Sequence, residues 1–505
     1  MKKSLKAMKT NLKKFFVIAM IAVLGISVTP VSAAPGLITT NPDKSGTTDT
    51  ASLLVNNTAT LTVSNVASGD KLSAYKIIDI FYNATTNELT YEFTDTFSAF
   101  LTAEGLTKTV ADYIGDSTEV DTTLISQFTT YVKKNAAAVT GTALTMNGTT
   151  GTATLEVGAY LVLPTAATRV YAPMVGNVAV VAENNAWVIK DAEVVAKSSQ
   201  ADIEKGISTS DDKSESYNIG DTFNYQVKAT VPQFPAGATN KKYIVRDKMS
   251  TGLTLGALST FTVKDGTTSL NVNTTTGVVT DDAGNTVTTI VIADNGFTMS
   301  FDLNYITSTT IEVNYEAQLN EHAVLGVSGN NNGISLEFSN DPFGGPDGST
   351  STVDKPSETK VITYGLRVVS HEKNNQSTLL PNAVFDVCTD SACTNSVGRI
   401  TTGADGSIEK NGIKEGTYYL KEISAPTGYS LIKDPITVVI SETADAEDGT
   451  KNGVVEVLVP HTKLSALPIT GGMGTIIFTV SGAILMVGAV WFVFMYKRKN
   501  NSQEA

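Results

Sequence analysis

The chain is poor in the residues that most reaction centres are built from. It has 2 cysteines and 3 histidines in 505 residues, too few for a metal cluster or a thiol–imidazole centre. Charged residues make up only 17 %, and acids outnumber bases 50 to 37, for a formal net charge of −13. That balance argues against nucleic acid as a partner, because phosphate binding needs clustered Lys and Arg. No Ser/His/Asp, Cys/His or metal-ligand pattern is visible, so no metal, no cofactor and no turnover enzyme are expected. Raw material for long helices is scarce as well. What fills the chain is Thr, Val, Ser, Asn and 40 glycines, a composition of strands and turns. The length suggests about three domains.

The two ends are the exceptions. Residues 1–14 carry Lys2, Lys3, Lys6, Lys9, Lys13 and Lys14 and no acid; an apolar run from Phe15 to Val28 and the small residues Ser32, Ala33 and Ala34 follow. This is the pattern of a signal peptide over 1–33. At the other end, the charge-free stretch from Thr475 to Tyr496 is long enough to span a bilayer, and Lys497, Arg498 and Lys499 follow it as a cytoplasmic stop. Losing the six lysines of 1–33 and the net two positive charges of 471–505 takes the formal charge from −13 to −21.

Between the ends, three β-rich segments are expected. The first covers 36–196, with alternation at Thr60-Leu61-Thr62-Val63 and with short helices between Phe97 and Ala138. The middle one covers 197–355, its last part (341–356) a Pro/Gly/Ser/Asp-rich linker; the third covers 356–463. Short strands divided by turn residues point to immunoglobulin-like β-sandwiches in tandem, a mainly β fold.

The middle segment places polar groups on apolar faces. Alternation puts Lys205 with Ile203 and Ile207, Asp247 with Tyr243 and Val245, and Asn340 with Ile334, Leu336 and Phe338. Buried apart, these groups would each cost several kcal/mol. They escape the cost if they meet. Burial drives Lys towards the neutral amine and Asp towards the neutral acid. A neutral amine is a nucleophile, and a protonated carboxyl polarises an amide, so Lys205 and Asn340 are expected to condense with loss of ammonia, promoted by Asp247. The event occurs once per molecule and is self-modification. Without condensation the same contacts make a buried Lys–Asp ion pair with Asn340 as hydrogen-bond partner.

Leu467-Pro468-Ile469-Thr470-Gly471, the apolar span and the basic tail, in that order, resemble the Gram-positive cell-wall sorting signal, L-P-x-T-G, over 467–505. Asp202-Ile203-Glu204-Lys205, Ile219 to Tyr225, Tyr243 to Asp247 and Leu336 to Pro342 resemble the middle domain of sortase-assembled pilins. The resemblance implies cleavage between Thr470 and Gly471 and transfer of Thr470 to an amine. It also implies an isopeptide bond between Lys205 and Asn340, with Asp247 as the acid.

Tyr418-Tyr419-Leu420-Lys421-Glu422-Ile423-Ser424-Ala425-Pro426-Thr427-Gly428-Tyr429 resembles another pilin motif, with Glu422 at the family's glutamate. Here, however, the family's Lys and Asn positions hold Ser370 and His461, so no such bond is expected in the third domain; Lys373 becomes the candidate amine if the strand slips. Cys388 and Cys393 are expected to form a disulfide clip in an exported chain. The family's acceptor lysine follows a Trp and a Val-rich strand; the corresponding residues are Trp187 and Glu193-Val194-Val195-Ala196-Lys197, with Lys190 as the rival.

The resemblance implies a fimbrial subunit anchored to peptidoglycan at the cell surface, most simply the shaft. Its partners would be sortase, other copies of itself, accessory pilins and, at the surface, a host ligand. The alternatives are an accessory or basal pilin and a monomeric wall-anchored adhesin.

Overall fold

The computed structural model describes residues 40–41, 52–114, 121–183, 186–207, 212–345, 348–353, 358–442, 453–464 and 472–500. The expected signal peptide and the pentapeptide at 467–471 lie outside the described residues. The chain forms two compact units, one reaching to Thr363 and including Gly412–Lys414, the other comprising Tyr364–Asn411 and the chain from Glu415 onward.

The first unit contains two β-layered regions with separate cores. In the N-terminal region, β1 (Thr58–Ser64), β2 (Lys71–Asn83), β3 (Thr150–Glu156), β4 (Gly158–Ala166), β5 (Met174–Glu183) and β6 (Ala192–Val195) carry most of the framework. Here β2, β4 and β5 lie side by side in one sheet, while β6, β1 and β3 belong to another. The short helices expected between Phe97 and Ala138 are α1 (Asp95–Ala103), α2 (Val110–Ile114) and α3 (Thr122–Lys134). Thr94 caps α1 and Asp121 caps α3 through their side-chain oxygens. Phe97, Phe100 and Phe128 pack together under them with β2 and β4, which gives the helices an apolar face to bury in place of strong intrinsic propensity.

The middle region is a sandwich of two sheets. One contains β7 (Asp202–Ile207), β9 (Thr222–Thr230) and β12 (Thr310–Leu319) in that spatial order. The other runs β8 (Ser214–Ser216), β15 (Thr359–Ile362), β13 (Asn330–Ser339), β10 (Tyr243–Met249) and β11 (Gly296–Ser300). The burial alternation is regular: β9 reads exposed–buried along Thr222–Thr230, and β10 buries Tyr243, Val245, Asp247 and Met249. Each sheet therefore turns one apolar face to the other.

Two boundaries differ from the sequence reading. The stretch 341–356 is not simply a linker, because β14 (Thr350–Val353) pairs with β13 from Leu336 to Ser339. Thr359–Ile362, expected to open the third domain, instead belongs to the middle sandwich, parallel to β8 and antiparallel to Asn330–Asn332. A Pro/Gly-rich approach hid both strands, since each is only four residues long and takes its stability from the ladder it joins.

The second unit is a smaller sandwich. Its first strand, β16 (Tyr364–Glu372), pairs in parallel with its last, β19 (Val454–His461). The facing sheet contains β17 (Val384–Cys388) and β18 (Gly416–Ser424) side by side. Farther along, α4 (Gly472–Asn500) carries a 25-residue stretch, Thr475–Lys499, that is long and apolar enough to cross a bilayer.

Candidate functional site: a buried lysine between two sheets

Four polar side chains meet in the dry interior of the middle sandwich. Lys205 on β7 and Tyr315 on β12 come from one sheet; Asp247 on β10 and Asn332 on β13 come from the other. The register explains the meeting. Met249 lies opposite Asn332 and Asp247 opposite Ile334, so Asp247 and Asn332 are diagonal neighbours on one inward face. Across the gap, β7 packs against β13.

The contacts form a continuous chain. Lys205 Nζ donates to Asp247 Oδ2 in a very short contact, both side chains being inaccessible to solvent. The Tyr315 hydroxyl donates to the same Oδ2 at 2.6 Å. The Asn332 amide Nδ2 donates to the Tyr315 oxygen at 3.1 Å. The rings of Tyr225 and Tyr315 lie 4.6 and 5.4 Å from Nζ. Asp247 Oδ1 and Asn332 Oδ1 have no partner among the described residues, an uncommon state for buried polar atoms that calls for an explanation.

Burial sets the protonation. Desolvation pulls the Lys205 ammonium down to about 8, against the opposing pull of the Asp247 charge and hydrogen bond. Desolvation pushes the Asp247 carboxyl up, against Lys205 and Tyr315. The Tyr315 phenol is held far above its ordinary value by burial first and by the Asp247 charge second. All three shifts run towards the uncharged forms, so burial makes an amine and a carboxylic acid easier to reach beside the amide than they would be in water.

Lys205 and Asp247 thus stand together as the sequence reading expects, but Asn340 does not join them. Its alternation is right, since Asn340 is buried on the same side of the chain as Ile334, Leu336 and Phe338. Its position along the chain is wrong: six residues beyond Ile334, at roughly 3.3 Å per residue, put it about 20 Å from the partner of Asp247. There Asn340 Nδ2 donates to the carbonyl of Ala167 and to Ser351 Oγ, and its Oδ1 accepts from Ser349. Together with the Lys133–Asp341 pair at 3.4 Å and a hydrogen bond from Ser126 to the Ala236 carbonyl, it fastens the N-terminal and middle regions. Asn332 escapes the sequence reading because it stands in Asn330-Asn331-Asn332-Gly333, residue types that favour turns over strands. The signal that finds it is parity, since Asn330, Asn332 and Ile334 share the buried face.

The third domain brings its substituted residues together. Ser370 Oγ lies 3.1 Å from His461 Nδ1, His461 Nε2 lies 2.6 Å from Glu422 Oε1, and the Ile432 amide donates to Glu422 Oε2 at 2.7 Å. The Ser370, His461 and Glu422 side chains are all buried. Lys373 is exposed in the turn after β16, so the strand does not slip to present it. Cys388 and Cys393 are joined as a disulfide, their Cα atoms 5.1 Å apart. On the surface of the first unit, Lys197 is exposed just beyond β6, whereas the Lys190 ammonium pairs with Glu183 at 2.9 Å.

A family model described as Gram-positive pilin backbone subunit 2, Cna-B-like domain, matches residues 219–342. A prealbumin-like fold domain matches 367–453, and an LPXTG cell wall anchor motif matches 459–503. The chain is 25 % identical to the trypsin-resistant surface T6 protein of Streptococcus pyogenes serotype M6, over 95 % of this chain and 99 % of that one. It is 24 % identical to the fimbrial subunit type 1 of Actinomyces viscosus, over 56 % of this chain and 62 % of that one. Among solved structures, the T6 backbone pilin of serotype M6 Streptococcus pyogenes superposes with a TM-score of 0.64 at 20 % identity, covering 81 % of this chain and 99 % of that one.

Proposed function

We propose that this cell-wall-anchored Gram-positive pilin builds the fimbrial shaft as a polymer in which Thr470 of one copy is joined to Lys197 of the next by a sortase. A final transfer to peptidoglycan would hold the shaft at the cell surface, with accessory pilins carried along it. Exposure of Lys197, against the ion-paired Lys190, supports Lys197 as the acceptor amine. The acceptor motif departs from the family at Val195-Ala196, so the lysine is tested directly. Boiled cell-wall extracts should show a high-mass ladder that Lys197→Ala abolishes and Lys190→Ala leaves intact. A single band from the parent strain would favour a monomeric adhesin or a basal subunit.

The middle sandwich supplies tensile strength through a Lys205–Asn332 isopeptide bond promoted by Asp247. The observation that carries this reading is the unbroken hydrogen-bond chain from Lys205 through Asp247 and Tyr315 to Asn332 in a site without solvent. The neutral Nζ attacks the Asn332 carbonyl carbon, the C–Nδ2 bond breaks, and ammonia departs. The bond would tie β7 to β13 and close a loop of about 127 residues, worth about 5 kcal/mol by unfolded-state entropy if treated as a disulfide. Under tension it would bear load that the ladder hydrogen bonds otherwise carry singly. Intact mass of the reduced ectodomain should fall ~17 Da below the sequence value, one ammonia lost in condensation of the neutralised pair; an ectodomain at full sequence mass would remove the cross-link from the account.

A further inference from the structure

The cross-link proposed above leaves one proton transfer unassigned, and the geometry points to Tyr315 as the residue that performs it. For ammonia to leave, Asn332 Nδ2 must gain a proton. Asp247 is the acid, but Nδ2 makes no hydrogen bond to it: Nδ2 donates to the Tyr315 oxygen, at 3.1 Å, and of the two phenols beside the Asn332 amide only Tyr315 also bonds Asp247. That same oxygen stands 2.6 Å from Asp247 Oδ2, which also receives the Lys205 amine. The phenol donates to the carboxyl group and so meets the amide as an acceptor, which orients the Asn332 nitrogen towards it. We propose that Tyr315 is a catalytic residue of the self-condensation, a proton bridge between Asp247 and the departing nitrogen.

The step balances as follows. Lys205, as the free amine, forms the new C–N bond to the Asn332 carbonyl carbon. Addition makes the Asn332 centre tetrahedral and frees the Nδ2 lone pair; the Tyr315 hydroxyl then turns its proton from Asp247 Oδ2 to Nδ2, passes it on, and takes a replacement from Asp247 Oδ2. Asp247, now a carboxylate, takes one proton from the new Nζ centre. The C–Nδ2 bond breaks with its electron pair, and neutral ammonia leaves. Asp247 ends protonated and Tyr315 ends as it began, so each acts once and is restored. The phenol never has to exist as a free phenolate in the apolar site, because loss and gain of its proton are concerted. Tyr225 has the same ring chemistry and lies nearer to Nζ, at 4.6 Å from its centroid against 5.4 Å for Tyr315, but its hydroxyl makes no hydrogen bond to Asp247 among those formed in this site.

The test uses the full ectodomain recovered in urea from inclusion bodies, at full sequence mass because it has never folded, then diluted into buffer and followed by intact mass. The parent should lose about 17 Da, and Tyr315→Phe should fold but lose it at least about 100-fold more slowly, the usual scale of a removed general acid. Tyr243→Phe, which removes another fully buried phenol of the same sandwich, one that donates to the Thr230 carbonyl, serves as the control and should convert close to the parent rate. Replacement of Tyr315 by 3-fluorotyrosine keeps the ring and the hydroxyl and alters only acidity; it should shift the rate, which a packing role would not. Conversion of Tyr315→Phe at the parent rate, or an unmoved rate with 3-fluorotyrosine, overturns the relay. A parent chain that stays at full mass overturns the cross-link itself, and the relay with it.

Discussion

Asn332 and Asn340 lie on one buried face of the same stretch of chain, yet only Asn332 reaches the phenol of Tyr315, while Asn340 holds the carbonyl of Ala167. Two asparagines eight positions apart therefore have separate duties, one inside the sandwich and one at the seam between regions. Asn332→Ala should keep the full sequence mass and lose the roughly 5 kcal/mol of loop-closure stabilisation. Asn340→Ala should still shed ammonia and melt within about 1–3 kcal/mol of the parent, the cost of unpaired buried groups. Mass spectrometry and thermal melting of the two variants, run together, decide which asparagine is used.

Asp247→Ala leaves the Lys205 amine buried with its carboxylate partner gone. Removing one member of a buried pair costs on the order of 3–5 kcal/mol, and the acid that promotes condensation disappears with it. The expected protein is uncross-linked and markedly less stable to denaturant. Lys205→Met, which removes the charge and keeps the volume, should also be uncross-linked but should recover part of that loss. An Asp247→Ala variant that matched Lys205→Met in stability would mean that the lysine finds other company.

The condensation rate should follow a bell in pH. The reactive state has one proton shared between Lys205 and Asp247, as amine and acid. Lowering the pH adds a second proton, making Lys205 cationic and no longer nucleophilic. Raising the pH through about 8, where burial has brought the Lys205 group, removes the shared proton and leaves Asp247 a carboxylate with nothing to give. Burial raises the Asp247 carboxyl, which moves the acidic limb upward as well. Refolding from urea at a series of pH values, with intact mass against time, should give both limbs; a rate that climbs steadily into alkali would show that the acid is unnecessary.

In the third domain, Ser370, His461 and Glu422 occupy one dry cluster. Placing an amine and an amide there should install a cross-link. The double variant Ser370→Lys with His461→Asn is expected to lose a further ~17 Da beyond the parent, one more ammonia released at a buried carboxyl, and to lose that extra increment when Glu422→Ala is added. Each single variant should only destabilise, since the introduced amine or amide alone would be a buried polar group with half its partners. No extra mass loss in the double variant would mean that β16 and β19 hold these positions in a geometry unsuited to bond formation.

What lay open in the sequence was whatever depends on order and on period two. The apolar span with its basic tail, the sorting pentapeptide and the tandem β-rich segments are local patterns, and so is the inward parity of Lys205, Asp247 and Asn340, because a strand alternates its side chains whatever its neighbours do. Parity, however, names a face and not a distance along it. Which asparagine stands beside Asp247 was decided by the register of β10 on β13, and register is fixed by pairing across the whole sheet. The same holds for Thr350–Val353 and Thr359–Ile362, too short to declare themselves as strands until a ladder accepts them. The bridge from Asp247 to Asn332 through Tyr315 needs two facing sheets, and no stretch of sequence contains both.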